Sequence, residues 1–157
     1  MLMKKTITVL GYAFIVFIVL MIAVAAGLVA LGKKYDKESK AFVDTAVQAI
    51  AADWDIEELQ KRASAEFNDE VDYDSLEEDF TTLQQLGKLV GYEGSKGDSN
   101  ITISLTGYTI TADYKAIADF ESGSAEIQIS LIKRDGRWQI LDFSVSPESF
   151  IERKDVV

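Results

Sequence analysis

The pattern of apolar and polar residues divides the chain into one long, uniformly apolar segment and a longer region of periodic patterns. The apolar segment, Ile7–Leu31, contains no charged residue, no proline, no asparagine and no glutamine. At about 1.5 Å per residue, a helix of this length crosses a hydrocarbon core of roughly 30 Å. The rest of the chain is too short to bury so many apolar side chains. We therefore predict a transmembrane helix over residues 7–32, preceded by a short basic tail over residues 1–6.

Helical periodicity continues after the apolar segment. Residues 36–53 repeat apolar positions at steps of three and four, which predicts an amphipathic helix that can continue the membrane helix directly. Asp55, with a glutamate three residues later, is typical of a capping box and predicts the start of a second helix. A third helix is expected from Asp74 or Ser75 to a C-cap at Gly87.

The apolar period shortens to two residues after Gly87, which indicates antiparallel strands. The dipeptide Asp135-Gly136 predicts a tight hairpin turn. Residues 93–100 are rich in glycine, serine and asparagine, so we interpret this stretch as a turn, with Gly91, Gly94 and Gly97 as turn residues. The predicted strands are 88–92, 101–106, 110–120, 125–131 and 138–145.

The last predicted strand changes phase. Trp138 and Ile140 share one parity, whereas Leu141 and Phe143 share the other. A strand with one buried face cannot place both pairs in the core unless it contains an extra residue. We therefore predict a β-bulge near residues 140–142.

The order of elements predicts an α+β protein: one transmembrane helix, then a roll of three helices packed on a curved antiparallel sheet of four to five strands. The helices are needed to cover the apolar face of the sheet, because nothing else in the chain can do so. The predicted soluble roll spans residues 33–150, and residues 151–157 form a C-terminal tail.

Charge restricts the partners of the soluble part. All 26 acidic residues and 12 of the 16 basic residues lie from Asp36 onward, so this part carries a net charge of about −14. Such a charge argues against nucleic acid as a partner. The other four bases bracket the apolar segment where lipid headgroups would lie, which identifies them as membrane-flanking residues: Lys4, Lys5, Lys33 and Lys34.

Composition also excludes several chemistries. The chain has no cysteine and no histidine, which removes disulfides, thiolate zinc sites and the usual base of a catalytic triad. The acidic stretch 68–74 does not fit an EF-hand loop in any register, since the required glycine and twelfth-position glutamate are missing. We expect no metal and no cofactor.

Two alternatives to a retained anchor exist. Lys4-Lys5 followed by the small-x-small site Ala23-Val24-Ala25 would suit a cleaved signal peptide, but the apolar run is roughly twice the usual length and continues to Leu31. A type IV pilin is disfavoured because no Gly-Phe processing site with a following glutamate is present. Basic residues on the two flanks nearly balance, and long domains are translocated largely regardless of charge. We favour a single-pass protein with an extracytoplasmic soluble domain, periplasmic or extracellular.

Residues 118–145 read ADFESGSAEIQISLIKRDGRWQILDFSV, an alternating strand, a DG turn and a tryptophan followed by apolar residues. This segment resembles the closing hairpin of the cystatin-like and nuclear-transport-factor-two-like superfamily, which includes the SnoaL-like cyclases. The resemblance extends loosely over residues 40–147. It is strongest to small bacterial envelope domains of unknown function, some of them membrane-tethered. It implies a cone-shaped sheet whose interior holds a pocket in some members.

Candidate site residues follow from the patterns and from this resemblance. Enzymes of the superfamily place an aspartate inside the cone, and Asp142 at the predicted bulge is the one strand acid that can point inward; its pKa would then rise, as a general base requires. The alternative is an Asp142 turned to solvent. Large inward aromatic residues are usually core, but four of them are candidates for lining a ligand pocket: Trp54, Tyr114, Trp138 and Phe143. Tyr92 and Tyr108, beside glycines, are candidates for a partner contact.

The sequence favours a non-catalytic, membrane-anchored interaction domain, an accessory or assembly subunit of a cell-envelope membrane complex. Its expected partners are the lipid bilayer and other membrane proteins. The alternatives are a small-molecule-binding module that uses the interior of the roll, or an isomerase- or dehydratase-like enzyme that uses Asp142.

Overall fold

The computed structural model describes residues 2–105 and 107–147 and shows an α+β architecture. Residues 148–150 of the predicted roll and the predicted tail 151–157 lie outside this part of the chain. Four α-helices, one 3-10 turn and four strands occur in the described part: α1 (Leu2–Asp53), α2 (Ile56–Arg62), α3 (Ala65–Glu70), α4 (Tyr73–Leu83), the 3-10 turn (Gln84–Leu86), β1 (Leu89–Ser104), β2 (Gly107–Phe120), β3 (Gly123–Arg134) and β4 (Arg137–Pro147).

Helix α1 is continuous, as predicted, and includes residues 2–6 of the expected basic tail. The chain divides within it, between Tyr35 and Asp36, into two compact units. In the first unit every side chain from Phe14 to Leu31 is exposed. The most apolar stretch of this helix has a mean hydropathy of 3.1 with none of it buried, and it is the one helix among the described residues long and apolar enough to cross a membrane.

The second unit, which we call the head, begins at Asp36. Its part of α1 presents a fully buried apolar face with Val43, Val47 and Ile50, as the three- and four-residue spacing predicts. The helix ends at Asp53, and Trp54 follows with a positive φ of 50° that turns the chain away.

The helices after α1 differ from the prediction in two respects. Asp55 caps α2 by accepting from the N–H of Glu58, but the Glu58 carboxylate bonds Arg62 instead of reaching back, so the reciprocal half of the capping box is wrong. The predicted second helix is in fact two, α2 and α3. The helix breaks because Ala63 forms a bridge with Ile140 of β4. The carbonyl of Ile140 accepts a hydrogen bond from the N–H of Ser64, and Ser64 is the N-cap of α3.

The sheet is antiparallel, with the strand order β1-β2-β3-β4. Strand β2 alternates between buried and exposed residues over Ile110–Phe120, as predicted. Asp135 and Gly136 have φ values of 49° and 76°, the positive values that a two-residue hairpin of this kind requires, which confirms that turn. The predicted bulge in β4 is also confirmed, because Leu131 pairs with Ile140 while Ser130 pairs with Asp142.

The predicted turn over residues 93–100 is wrong. This stretch lies inside β1, a strand of 16 residues that pairs with β2, so the two predicted strands are one and the sheet has four strands. Gly94, with a φ of 89°, lies in the register shift between Tyr92 and Ser95. Gly97 is needed for a close approach, since a Cβ atom there would lie 1.9 Å from the carbonyl oxygen of Asp113. Bulging and crowding, rather than chain reversal, explain these glycines.

Candidate functional site

The predicted pocket residues Trp54 and Phe143 belong to one aromatic cluster. The ring of Trp54 stacks on Phe120 at 5.3 Å between centroids and meets Phe80 edge-on at 5.6 Å. Phe80 in turn contacts Phe143 at 6.2 Å. Edge-on and offset contacts of this kind stabilise a core beyond the area they bury. The cluster therefore joins the end of α1 to α4 and to the sheet.

Tyr114 and Trp138 lie elsewhere. The Tyr114 hydroxyl is buried against α1, 2.9 Å from the Ser39 hydroxyl. Trp138 pairs with Lys133, whose ammonium lies 5.2 Å from the indole centroid. Lys133 in turn pairs with Ile110, ten residues along β2 from the Phe120 ring that stacks on Trp54.

Ten strand residues span about 33 Å, so Trp54 and Trp138 lie near opposite ends of the sheet. The structure therefore does not bring the four predicted pocket residues together in one pocket. Phe143 lines an open groove of about 320 Å³ between α4 and β4, at the lower end of the size range of small-molecule sites. The groove also contains Leu76, Asp79, Phe80, Thr82, Leu83, Ser144 and Val145. A ligand-binding role for the four aromatic residues remains a prediction.

The carboxylate of Asp44 on α1 accepts four hydrogen bonds from described residues of the head. Its Oδ1 accepts from the Ser95 N–H at 2.8 Å, the Ser95 hydroxyl at 2.7 Å and the Tyr92 hydroxyl at 2.8 Å. Lys40 bonds Oδ2 at 3.1 Å and also the Ser95 carbonyl at 2.6 Å. We call this group the Asp44 clamp: Lys40, Asp44, Tyr92 and Ser95.

Burial and hydrogen bonding shift the titration of the clamp in opposite directions. Partial burial alone would raise the pKa of Asp44, but the hydrogen bonds from Ser95, Tyr92 and Lys40 outweigh it and hold that pKa below its ordinary value. Burial, together with the bond to the Asp44 carboxylate, raises the pKa of the Tyr92 phenol. The clamp is therefore an ionised acid with neutral donors and one ammonium around it.

A second carboxylate, about two helical turns closer to the start of the head, makes the same kind of contact. Asp36 Oδ1 accepts from the Ser99 N–H at 2.8 Å and from the Ser99 hydroxyl at 2.6 Å. Eight helical residues from Asp36 to Asp44 rise about 12 Å, and four strand residues from Ser95 to Ser99 rise about 13 Å. The spacings match, so two acids of α1 satisfy N–H groups on the open edge of β1 and protect it from pairing with other strands.

These contacts revise the expected partner residues. Tyr92, a candidate for a partner contact, is half-buried with its hydroxyl bound to Asp44, whereas Tyr108 is 72% exposed. A contact between Tyr108 and a partner stays a prediction. Sequence reasoning missed Asp36 and Asp44 altogether, because their bonds reach residues 48 to 63 positions away and leave no periodic trace.

Asp142 is exposed on the outer face of the sheet. Asp142 pairs with Ser130 of β3, and Ser130 pairs with Asp113 of β2. Asp113 pairs in turn with Asp98 of β1. The Ser130 hydroxyl donates to Asp113 at 2.6 Å. The bulge thus turns Asp142 to solvent, the alternative that the sequence left open, and places it in a row of three acids across the outer face.

The helices after α1 form a second anionic surface. Asp74, Glu77 and Glu78 on α4 are exposed, and their side chains border a shallow hollow with Thr81. Among the described residues, no group of three or more acids is arranged so that it could hold a metal ion. Comparisons with protein-family models, curated proteins and solved structures found no match to this chain.

Proposed function

We propose that this chain is a single-pass membrane protein whose head is a non-catalytic interaction domain, an accessory or assembly subunit of a cell-envelope complex. The observation that carries the proposal is the run of exposed apolar side chains from Phe14 to Leu31, whose exposure to water would be strongly unfavourable. Lys33 and Lys34 follow this run and are exposed, as residues at lipid headgroups would be.

The architecture of the head supports an interaction role. A long helix contacts one face of the sheet through Ser39 and Tyr114, and the DG hairpin is followed by an inward Trp138. We take this arrangement as a cystatin-like roll. Its exposed surfaces are anionic on both α4 and the outer sheet face, so we propose a partner membrane protein with a basic surface, bound with an affinity that falls as salt rises.

Recovery of a partner tests the function. Membranes that contain the full chain are washed with alkaline carbonate, cross-linked, solubilised in mild detergent, and analysed by affinity capture with quantitative mass spectrometry. We expect the chain to stay in the membrane pellet and to co-purify with at least one membrane protein in stoichiometric yield. Release of the chain by carbonate would contradict the proposed membrane anchor. Recovery of the chain alone, as a monomer, would contradict the proposed role as a subunit of a complex.

Two matched variants separate the anionic surfaces in that experiment. The first, D74N/E77Q/E78Q, removes three charges from α4, and the second, D98N/D113N/D142N, removes three charges from the outer sheet face. Both variants lose three negative charges, so an effect of net charge alone would lower the yield of the partner equally in the two variants. We expect one variant to lose most of the partner and the other to retain it, which identifies the docking surface.

We propose that the head lies outside the cytoplasm: the flanking lysines nearly balance and so do not retain it inside, and long domains are translocated largely regardless of charge. The chain lacks cysteine, so a single S122C substitution at the exposed β2–β3 turn gives one reactive thiol. A membrane-impermeant maleimide should label S122C in intact cells or spheroplasts. Labelling that requires cell lysis would place the head in the cytoplasm instead.

A further inference from the structure

The end of the β1–β2 hairpin is apolar and uncharged. Residues 99–112 contain no Asp, Glu, Lys or Arg, although every one of the chain's 26 acids lies from Asp36 onward. Ile103, Leu105 and Tyr108, which we call the apolar tip, are 76%, 107% and 72% exposed. Of the described residues that follow Asp36, they are three of the five large hydrophobic side chains left exposed. This clustering marks a surface that is built for a non-aqueous neighbour.

The apolar tip continues the inner face of the sheet. Ile103 pairs with Tyr108, and Tyr108 has the same parity along β2 as the buried Ile110 and Tyr114. Tyr114 is covered by α1 through Ser39, whereas Tyr108 is not buried. The inner face of the sheet therefore extends beyond the segment of helix that covers it, and its last apolar pair is open.

The tip lies at the end of the head where the chain enters. Asp36, the first residue of the head, bonds Ser99. From Ser99, strand β1 continues toward Leu105, a reach of about 20 Å at roughly 3.3 Å per residue. Asp44 bonds Ser95 and Asp36 bonds Ser99, so β1 runs toward the tip in the direction in which α1 runs back to Asp36. The tip and the first residue of the head therefore lie at the same end of the head.

Basic residues accompany the tip at this end of the sheet. The β3–β4 turn lies beside it and carries two exposed arginines, Arg134 and Arg137, with the exposed Asp135 between them. Arg134 is ion-paired to Glu66, which leaves Arg137 as the excess positive charge of the turn. Lys37, one residue into the head, is exposed as well. Arginine and lysine beside apolar groups suit the anionic headgroups of a bilayer, and tyrosine is enriched at that depth.

We propose that Ile103, Leu105 and Tyr108 insert into the interfacial region of the bilayer that holds the anchor, so that the head contacts the membrane at a second point. This inference rests on the proposed membrane anchor. Lipid is favoured over a protein partner because the exposed Lys37 and Arg137 lie at the same end of the head as the tip, because tyrosine is enriched at the membrane interface, and because the proposed anchor ends six residues before Lys37. The expected depth is about 5–10 Å below the headgroup boundary.

Spin labels on the full chain, reconstituted without other proteins in vesicles that contain phosphatidylcholine and phosphatidylglycerol, test the inference. The natural absence of cysteine allows three single-label chains, L105C, V90C and L20C. Val90 is a matched control, because it is an exposed apolar residue at the end of β1 that lies away from the tip. The measurement is the collision rate of each label with oxygen, which partitions into lipid, and with a water-soluble nickel chelate.

We expect the labels at residues 105 and 20 to collide with oxygen in preference to the nickel chelate, and the label at residue 90 to show the reverse. A label at residue 20 that meets the chelate freely would overturn the anchor itself. A lipid-exposed residue 20 with a water-exposed residue 105 would leave the anchor standing and overturn the tip insertion. If the label at residue 105 is shielded from both reagents, and its spectrum shows spin–spin broadening that disappears on dilution with unlabelled chain, the tip contacts a second copy of the chain. That result would also overturn the insertion of the tip into lipid. Thermal melts of the three labelled chains verify that the head is folded.

Discussion

Replacing Gly97 by alanine should destabilise the head by at least about 3 kcal/mol, which corresponds to a melting temperature lower by roughly 10–20 °C. An added Cβ would lie 1.9 Å from the Asp113 carbonyl oxygen and 2.8 Å from the Tyr114 ring. The first of these atoms is backbone in the neighbouring strand, so no side-chain rotation can relieve the clash. The strands must move apart, which breaks pairing between β1 and β2. Circular dichroism melts of the full chain in nonionic detergent measure the effect.

Gly91→Ala is the matched control for Gly97→Ala. Both glycines lie in β1, and neither has a positive φ that alanine would strain. The nearest atom to a Cβ at Gly91 is the Asp119 Oδ2 at 3.1 Å, the movable end of a side chain. We expect a cost of less than about 1 kcal/mol at Gly91. Similar melting temperatures for the two variants would show that β1 does not approach β2 as closely as the structure indicates.

Asp44→Ala should have the second largest effect, a loss of about 3 kcal/mol, because hydrogen bonds to a charged acceptor are worth more than neutral ones. The substitution leaves the N–H of Ser95, a residue only 4% exposed, without an acceptor, and it frees the Tyr92 hydroxyl. Thr45→Ala is the control, since Thr45 is exposed on the same helix and bonds only within it. We expect Thr45→Ala to change stability by less than about 0.5 kcal/mol.

Acid should weaken the Asp44 clamp in a predictable direction. The pKa of Asp44 is lowered in the folded head, so its carboxylate stabilises the fold above the ordinary aspartate pKa near 3.9, and this contribution is lost as the pH falls through the folded-state value. The difference in unfolding free energy between the natural chain and Asp44→Asn should therefore be constant above about pH 5 and shrink below about pH 4. A pH-independent difference would show that Asp44 is not an ionised acceptor.

Non-additivity separates the clamp from general helix stability. Ser95→Ala removes the hydroxyl that donates to Asp44 and leaves the backbone N–H bond in place, whereas Asp44→Ala removes the acceptor of both. The double variant should therefore lose less stability than the sum of the two single variants. Thr45→Ala combined with Ser95→Ala should be additive. Additive losses for Asp44 and Ser95 would contradict direct bonding between α1 and the β1 edge.

The sequence alone was sufficient to predict those structural features that depend on residues close together in the chain. The apolar run Ile7–Leu31 has no other stable environment than lipid or a large core, so its composition alone predicts a membrane helix. Asp135-Gly136 favours positive φ at two successive positions, which defines a tight hairpin without help from elsewhere. The bulge in β4 follows from a change of parity, because one buried face cannot accommodate both phases.

Tertiary contacts decided those structural features for which the local sequence predicts the wrong conformation. Residues 93–100 favour a turn by composition, yet Asp36 and Asp44 supply acceptors to one edge of this stretch while β2 pairs with the other, so it becomes strand. The second predicted helix breaks because Ala63 bridges to Ile140 in the sheet. Local periodicity and turn preferences are fixed by side chains a few positions apart, whereas these bonds join residues 48 to 77 positions apart and exist only once the helix lies against the sheet.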